Sequence, residues 1–205
     1  MLGVITGDIV HSRKLKDPEL WLKPLKEVLS TIAGCSADWE IYRGDSFQIQ
    51  VHQPERLLEN VMQIKAMMLQ LPDIDVRMGI GIGEVRFKAR RVPESNGSAF
   101  ELSGLAFERL QKNRLRIETP WDDINEQWEI ILPLAEWIMN RWTPPTAEVV
   151  THFLQHPTTT QKQLAAALGI GQGRISERLS RAAWSELKRM EELFRQQITQ
   201  KMVIG

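Results

Sequence analysis

Two acidic residues interrupt apolar segments of this chain: Asp8 in Val4-Ile5-Thr6-Gly7-Asp8-Ile9-Val10, and Asp45 in Tyr42-Arg43-Gly44-Asp45-Ser46-Phe47. Aspartate is a poor strand former and costly to bury alone, so a carboxylate set into such a segment faces a cation, a ligand or a turn. Brought side by side by a strand, helix and hairpin, the two would form the hard-oxygen site that holds magnesium against phosphates. The backbone amides around Ile9, Val10, His11 and Ser12, with Arg13 and Lys14 beside them, would supply donors and positive charge for those phosphates. The competing reading pairs Asp8 with Arg13 or Arg43 and leaves Asp45 only to shape its hairpin.

The elements that must position these residues follow from the hydrophobic pattern. A buried strand over residues 1–10 is followed by a helix on which Trp21, Leu25, Val28, Leu29 and Ile32 recur at helical spacing, with Pro24 implying a kink or a later start. Trp39 and Ile41 before Gly44-Asp45, and Phe47, Ile49 and Val51 after it, alternate with polar residues as a hairpin does. Pro54 opens a helix bearing Leu57, Val61, Ile64, Met68 and Leu71, and a strand from Asp75 to Val85 sets Gly79, Gly81 and Gly83 on one face. Three glycines on one face require a close neighbour, either a tightly docked helix or a ligand over the strand. Residues 88–97 read as a loop, Ala99 to Gln111 as a buried helix and Leu115 to Glu118 as a short strand.

This order predicts an α/β (α+β) chain: a ferredoxin-like βαββαβ palm over 1–120, a helical connector over 121–143 and a helix-turn-helix domain over 144–205. In the connector, Trp121, Trp128, Trp137 and Trp142 suit a role in cementing two domains or two subunits, which makes a homodimer the expected assembly. Thr143-Pro144-Pro145-Thr146 marks the boundary, with Thr146 expected to cap the next helix.

In the last segment, Leu164, Leu168, Ile170, Ile175 and Leu179, with small Ala165 and a turn at Gly169, carry helix-turn-helix spacing. Its second helix is expected to begin near Gln172 and to expose Arg174, Arg178 and Arg181. Gln172 and Arg174 suit base edges, and the other arginines suit phosphates. Residues 143–205 hold 8 Lys/Arg against 5 Asp/Glu, while residues 1–142 hold 18 against 21, so a neutral chain carries a basic tail. The alternative is a trihelical unit that only docks or dimerises, which Glu177 on the reading face favours.

With 42% hydrophobic and 25% charged residues, the 205-residue chain has the composition of a globular protein, and neither a membrane span nor a targeting signal is expected. Cys35, the single cysteine, permits no internal disulfide, and a cytoplasmic setting is expected. His152 and His156 share a helix face but lack a third ligand for zinc, and Met62, Met67, Met68 and Met78 read as core filler.

The Ile5-Thr6-Gly7-Asp8-Ile9-Val10-His11-Ser12-Arg13-Lys14 start, Arg43-Gly44-Asp45-Ser46-Phe47 and the C-terminal helix-turn-helix together resemble the SatD family. More distantly, the first part resembles the palm of class III nucleotidyl cyclases, whose two metal-binding aspartates correspond to Asp8 and Asp45. Arg77-Met78-Gly79-Ile80-Gly81-Ile82-Gly83 resembles the strand of that palm, and Arg109 its helix arginine. Where cyclases place an asparagine, this chain has Leu105, so the resemblance implies nucleotide and magnesium binding without efficient turnover. A DNA-binding regulator with a nucleotide-sensing palm is the leading expectation, and an active nucleotidyl cyclase or nucleotidyltransferase is the alternative.

Overall fold

The computed structural model describes residues 1–87 and 92–204. It is a mixed α/β structure in which a five-stranded sheet of order β2-β3-β1-β4-β5 is accompanied by eight α-helices among the described residues. The strands are β1 (Leu2–Val10), β2 (Trp39–Tyr42), β3 (Ser46–Val51), β4 (Asp75–Gly83) and β5 (Leu115–Glu118). The helices of the first part are α1 (Glu19–Ala33), α2 (Leu57–Met68) and α3 (Ser98–Glu108). They are followed by α4 (Asp122–Met139), α5 (Pro144–Gln155), α6 (Gln161–Ala167), α7 (Gln172–Arg181) and α8 (Trp184–Ile204).

Central β1 runs antiparallel to β3 and β4, whereas β5 lies parallel to β4 after the α3 crossover. The pleat divides β1 between two faces. Ile5 and Ile9 enter the main core with α1 and α2, while Val4 joins Val92, Ala99 and Phe100 on the α3 side. Thr6 is also on the α3 side, where its hydroxyl lies 3.0 Å from that of Ser103 and accepts from Gln48 Nε2 at 2.9 Å. These buried hydrogen bonds tie β1 to β3 and α3 at one register, although Gln48 Oε1 is left without a partner among the described residues.

The glycine face of β4 is covered by α3. A Cβ added to Gly79 would collide with the backbone of Phe107, and one added to Gly81 with the Ala99 carbonyl and the Ser103 amide. The close neighbour required by those glycines is therefore a docked helix, not a ligand.

Pro24 lies inside α1, whose first residue is Glu19, so the helix starts before the proline. Thr146 does not cap α5: Pro144 and Pro145 are its first two residues and Thr143 occupies the N-cap position. Proline lacks only an amide that the first helical turn leaves unbonded in any case, so the pair begins this helix and does not delay it. Of the loop expected over 88–97, residues 88–91 lie outside the described residues. Phe87 and Asn96 bridge its two sides, and Val92–Glu94 form a single 3-10 turn.

The principal core is continuous from the sheet into the C-terminal helices. It includes Trp128 and Leu132 of α4, Val150 of α5, and Leu187, Phe194 and Ile198 of α8. Trp128 donates its indole N–H to Gln197 at 2.9 Å and meets Phe194 edge-on at 5.0 Å between centroids, which fixes α4 against α8. Helix α2 lies among α1, the sheet, α5 and α8, so even its Glu59, Asn60, Gln63 and Lys65 are buried. A satellite cluster of Val149, Leu164, Ala165, Ile175 and Leu179 joins α5, α6 and α7. Met62, Met68 and Met78 are buried, Met67 packs beside them, and Cys35 is exposed. Among the described residues, no helix is long and apolar enough to cross a membrane.

Candidate functional site

Three chain segments converge on the edge of the sheet where β1 ends, because β3, β4 and β5 all begin there. The hairpin before β3 supplies Asp45, the start of β4 supplies Arg77, and the α3–β5 connection supplies Gln111 to Arg114. Together with Asp8 and residues Ile9 to Arg13 they line a cleft of about 500 Å³. Asp8 and Asp45 thus share one cleft.

Their immediate partners are now specific. Arg77 grips Asp8 with both edges of its fork, Nε donating to Oδ1 at 2.9 Å and Nη2 to Oδ2. The Ser12 hydroxyl donates to Asp45 Oδ2 at 2.6 Å, and the Ile9 amide donates to the Asp45 carbonyl at 3.1 Å, which ties the hairpin to the end of β1. The hydrogen bond from Arg77 to Asp8 is the largest influence on the guanidinium and raises its pKa. Burial opposes that rise, and the charges of Asp8 and Asp45 support it. The ion pair foreseen with Arg13 or Arg43 is made by Arg77 instead, which lies opposite Asp8 in the β1–β4 register.

The cleft lining holds four fixed cations, Arg13, Arg77, Lys112 and Arg114, against the two carboxylates. Arg114 is itself paired with Asp75 at 3.0 Å. The balance selects for an anion. Two hard carboxylates suit magnesium in donor type, yet one is already neutralised by a guanidinium, which would repel a bare divalent ion. No group of three or more His, Cys, Asp or Glu side chains suited to a metal occurs among the described residues. The donor set therefore fits magnesium as the companion of a phosphate, and does not fit the ion alone.

Two cleft residues, His11 and Gln111, hold left-handed backbone at φ of 65° and 49°. Neither is glycine, so each conformation costs energy that the surroundings must offset. The His11 ring contributes by meeting the Asp73 carbonyl at 3.1 Å, and Asp73 is left-handed as well.

Ile9, Val10, His11, Ser12 and Arg13 are brought together as the sequence reading required, but Lys14 and Arg109 stay outside the lining. Arg109 follows the last residue of α3 and turns toward Glu118, 3.4 Å away. Arg77, Lys112 and Arg114 were not foreseen as site residues. Their signal was topological: a β5 parallel to β4 must begin at the sheet edge where β1 ends, so the segment before it arrives beside Asp8.

The second candidate surface is α7, which begins at Gln172 after a left-handed Gly169 at φ 64°. Thr160 and Gln163 form a capping box at the start of α6, each side chain satisfying the other residue's backbone amide. Ile175 and Leu179 face inward, while Gln172, Arg174 and Arg181 are exposed. Arg178, expected to be solvent-exposed, is half-buried and reaches Glu148 on α5 at 3.3 Å. Arg181 meets Glu177 one turn back at 2.7 Å, and Arg174 makes no ion pair among the described residues. Residues 161–183 contain four cations and one carboxylate. His152 and His156 meet with ring centroids 4.9 Å apart and planes tilted by 50°, and burial first, then the neighbouring ring, lowers the pKa of His152.

Comparison with protein-family models, with curated proteins and with solved structures gives no match for this chain.

Proposed function

We propose that this chain is a DNA-binding regulator of the SatD type, in which α6 and α7 act as a helix-turn-helix and the sheet is a ferredoxin-like palm that senses a nucleotide with magnesium. The observation that carries the DNA reading is the free outer face of α7, where Gln172, Arg174 and Arg181 are exposed while Ile175 and Leu179 hold the helix to its neighbours. Glutamine and arginine at the start of such a helix have the donor geometry for base edges, and arginine further along meets phosphates. The division of the chain near residues 120 and 143, and a cytoplasmic location, go with this reading.

Arg174→Ala is expected to weaken binding to a DNA sequence selected by the protein about 10- to 100-fold, the worth of one good base contact, while affinity for random DNA changes little. Competition between selected and random duplexes measures this. Equal losses on both would remove Arg174 from base recognition.

The palm reading is supported by the strand order β2-β3-β1-β4 and by the cationic excess around Asp8 and Asp45. Phosphates would lie among Arg13, Arg77 and Lys112, and Asp8 and Asp45 would hold the accompanying magnesium. When bound, the ion would neutralise phosphate charge. Leu105 and the outward Arg109 argue against the alternative of an active cyclase or nucleotidyltransferase. In calorimetry, a nucleoside triphosphate with magnesium is expected to bind, magnesium alone is not, and Asp8→Asn is expected to lose the magnesium-dependent part while remaining folded. Formation of a cyclic product that Asp45→Asn abolishes would promote the enzymatic alternative.

A further inference from the structure

Helix α4 has a second apolar face that nothing among the described residues covers. Ile130, Leu134 and Trp137 are 69%, 64% and 61% exposed, although Ile124, Trp128, Leu132, Ala135 and Met139 of the same helix are buried. At 3.6 residues per turn, Glu126, Ile130, Leu134, Trp137 and Arg141 fall on one side of the helix and its first following turn. Arg141 stacks on Trp137, its guanidinium carbon 3.4 Å from the ring centre, and donates to the Trp137 carbonyl at 2.7 Å. Neither Arg141 nor Glu126 has an ion-pair partner among the described residues.

This stripe is self-complementary. Reversal about a point between Pro133 and Leu134 places Ile130 on Trp137, Glu126 on Arg141, and Leu134 beside its own copy. A twofold interface demands that relation, whereas a different partner does not. Antiparallel pairing also sets the helix dipoles favourably and brings each free carboxylate to a free guanidinium. Within one chain those two groups lie about 22 Å apart along the helix and cannot meet.

We infer that the exposed face of α4 binds the same face of a second copy of this chain, antiparallel and twofold symmetric, with Ile130 against the partner's Trp137 and Glu126 against the partner's Arg141. The inference does not rest on DNA or nucleotide binding.

Sedimentation of the full chain over a range of concentrations tests it. The wild type is expected to be a dimer, and Leu134→Asp a monomer with unchanged circular dichroism. Glu126→Arg and Arg141→Glu should each raise the dimer dissociation constant about tenfold or more by setting like charges opposite, and the double charge swap should restore it. A Leu134→Cys variant in a Cys35→Ser background should form an intermolecular disulfide on oxidation. A monomeric wild type at high micromolar concentration would overturn the proposal. So would a dimer unaffected by Leu134→Asp, or a double swap no better than the single changes.

Discussion

Asp75→Asn is expected to cost about 3–5 kcal/mol of folding stability, the usual penalty for breaking a buried ion pair from one side. Lys65 on α2 has no exposed side-chain surface, and its ammonium donates to Asp75 Oδ1 at 2.8 Å. Burial is the largest influence on that lysine and lowers its pKa, while the charge and hydrogen bond of Asp75 hold it up. Removing the carboxylate's charge leaves the ammonium to shed its proton or remain unpaired in the core. An unfolded lysine then binds protons more readily than the folded one, so the variant's stability should rise with pH up to the ordinary lysine range. Adding Lys65→Met should recover most of the loss, because the pair is then replaced and not broken. Urea denaturation of the wild type and these two variants measures this, and a loss under 1 kcal/mol for Asp75→Asn would show the pair to be weakly coupled to the fold.

Gly81→Val is expected to destabilise the chain by about 1–3 kcal/mol or more, because overpacking forces backbone to move where no side chain can yield. The atoms in the way are the Ala99 carbonyl and the Ser103 amide, both in the backbone of α3. Gly104 on the same helix faces open space, so Gly104→Ala should instead stabilise by about 0.5–1 kcal/mol through helix propensity. Opposite shifts of the urea midpoint for these two glycines would establish that their roles differ by contact and not by residue type. A Gly81→Val protein as stable as wild type would mean that α3 is not docked as described.

Local pattern carried much of the fold. Alternation of Trp39, Ile41, Phe47, Ile49 and Val51 marks a hairpin because one face is buried, and the turn between is left-handed at Arg43 and Gly44. The start of α7 at Gln172 was legible because Gly169 and the apolar spacing around it leave few other arrangements. What local pattern could not carry was set by packing between distant segments. Lys65 has the residue type of a surface position, and only the tertiary approach of Asp75 and Glu136 accounts for a lysine buried there. The glycines of β4 announced a close neighbour without saying which. Asp8 announced a cation, but among Arg13, Arg43 and Arg77 only the β1–β4 register selects the last. Thr146 was expected as the cap, but the two prolines start the helix earlier and put Thr143 at the N-cap position.

DNA affinity measured across a salt series tests the central claim most directly. On a duplex selected by the protein, log affinity should fall linearly with log salt concentration, and Arg181→Ala should lower the slope by about 0.9, the share of one phosphate contact. Arg174→Ala combined with Arg181→Ala should then bind selected and random DNA almost alike. An affinity that is independent of salt, or unchanged when both arginines are replaced, would contradict the account and leave the C-terminal helices a docking unit.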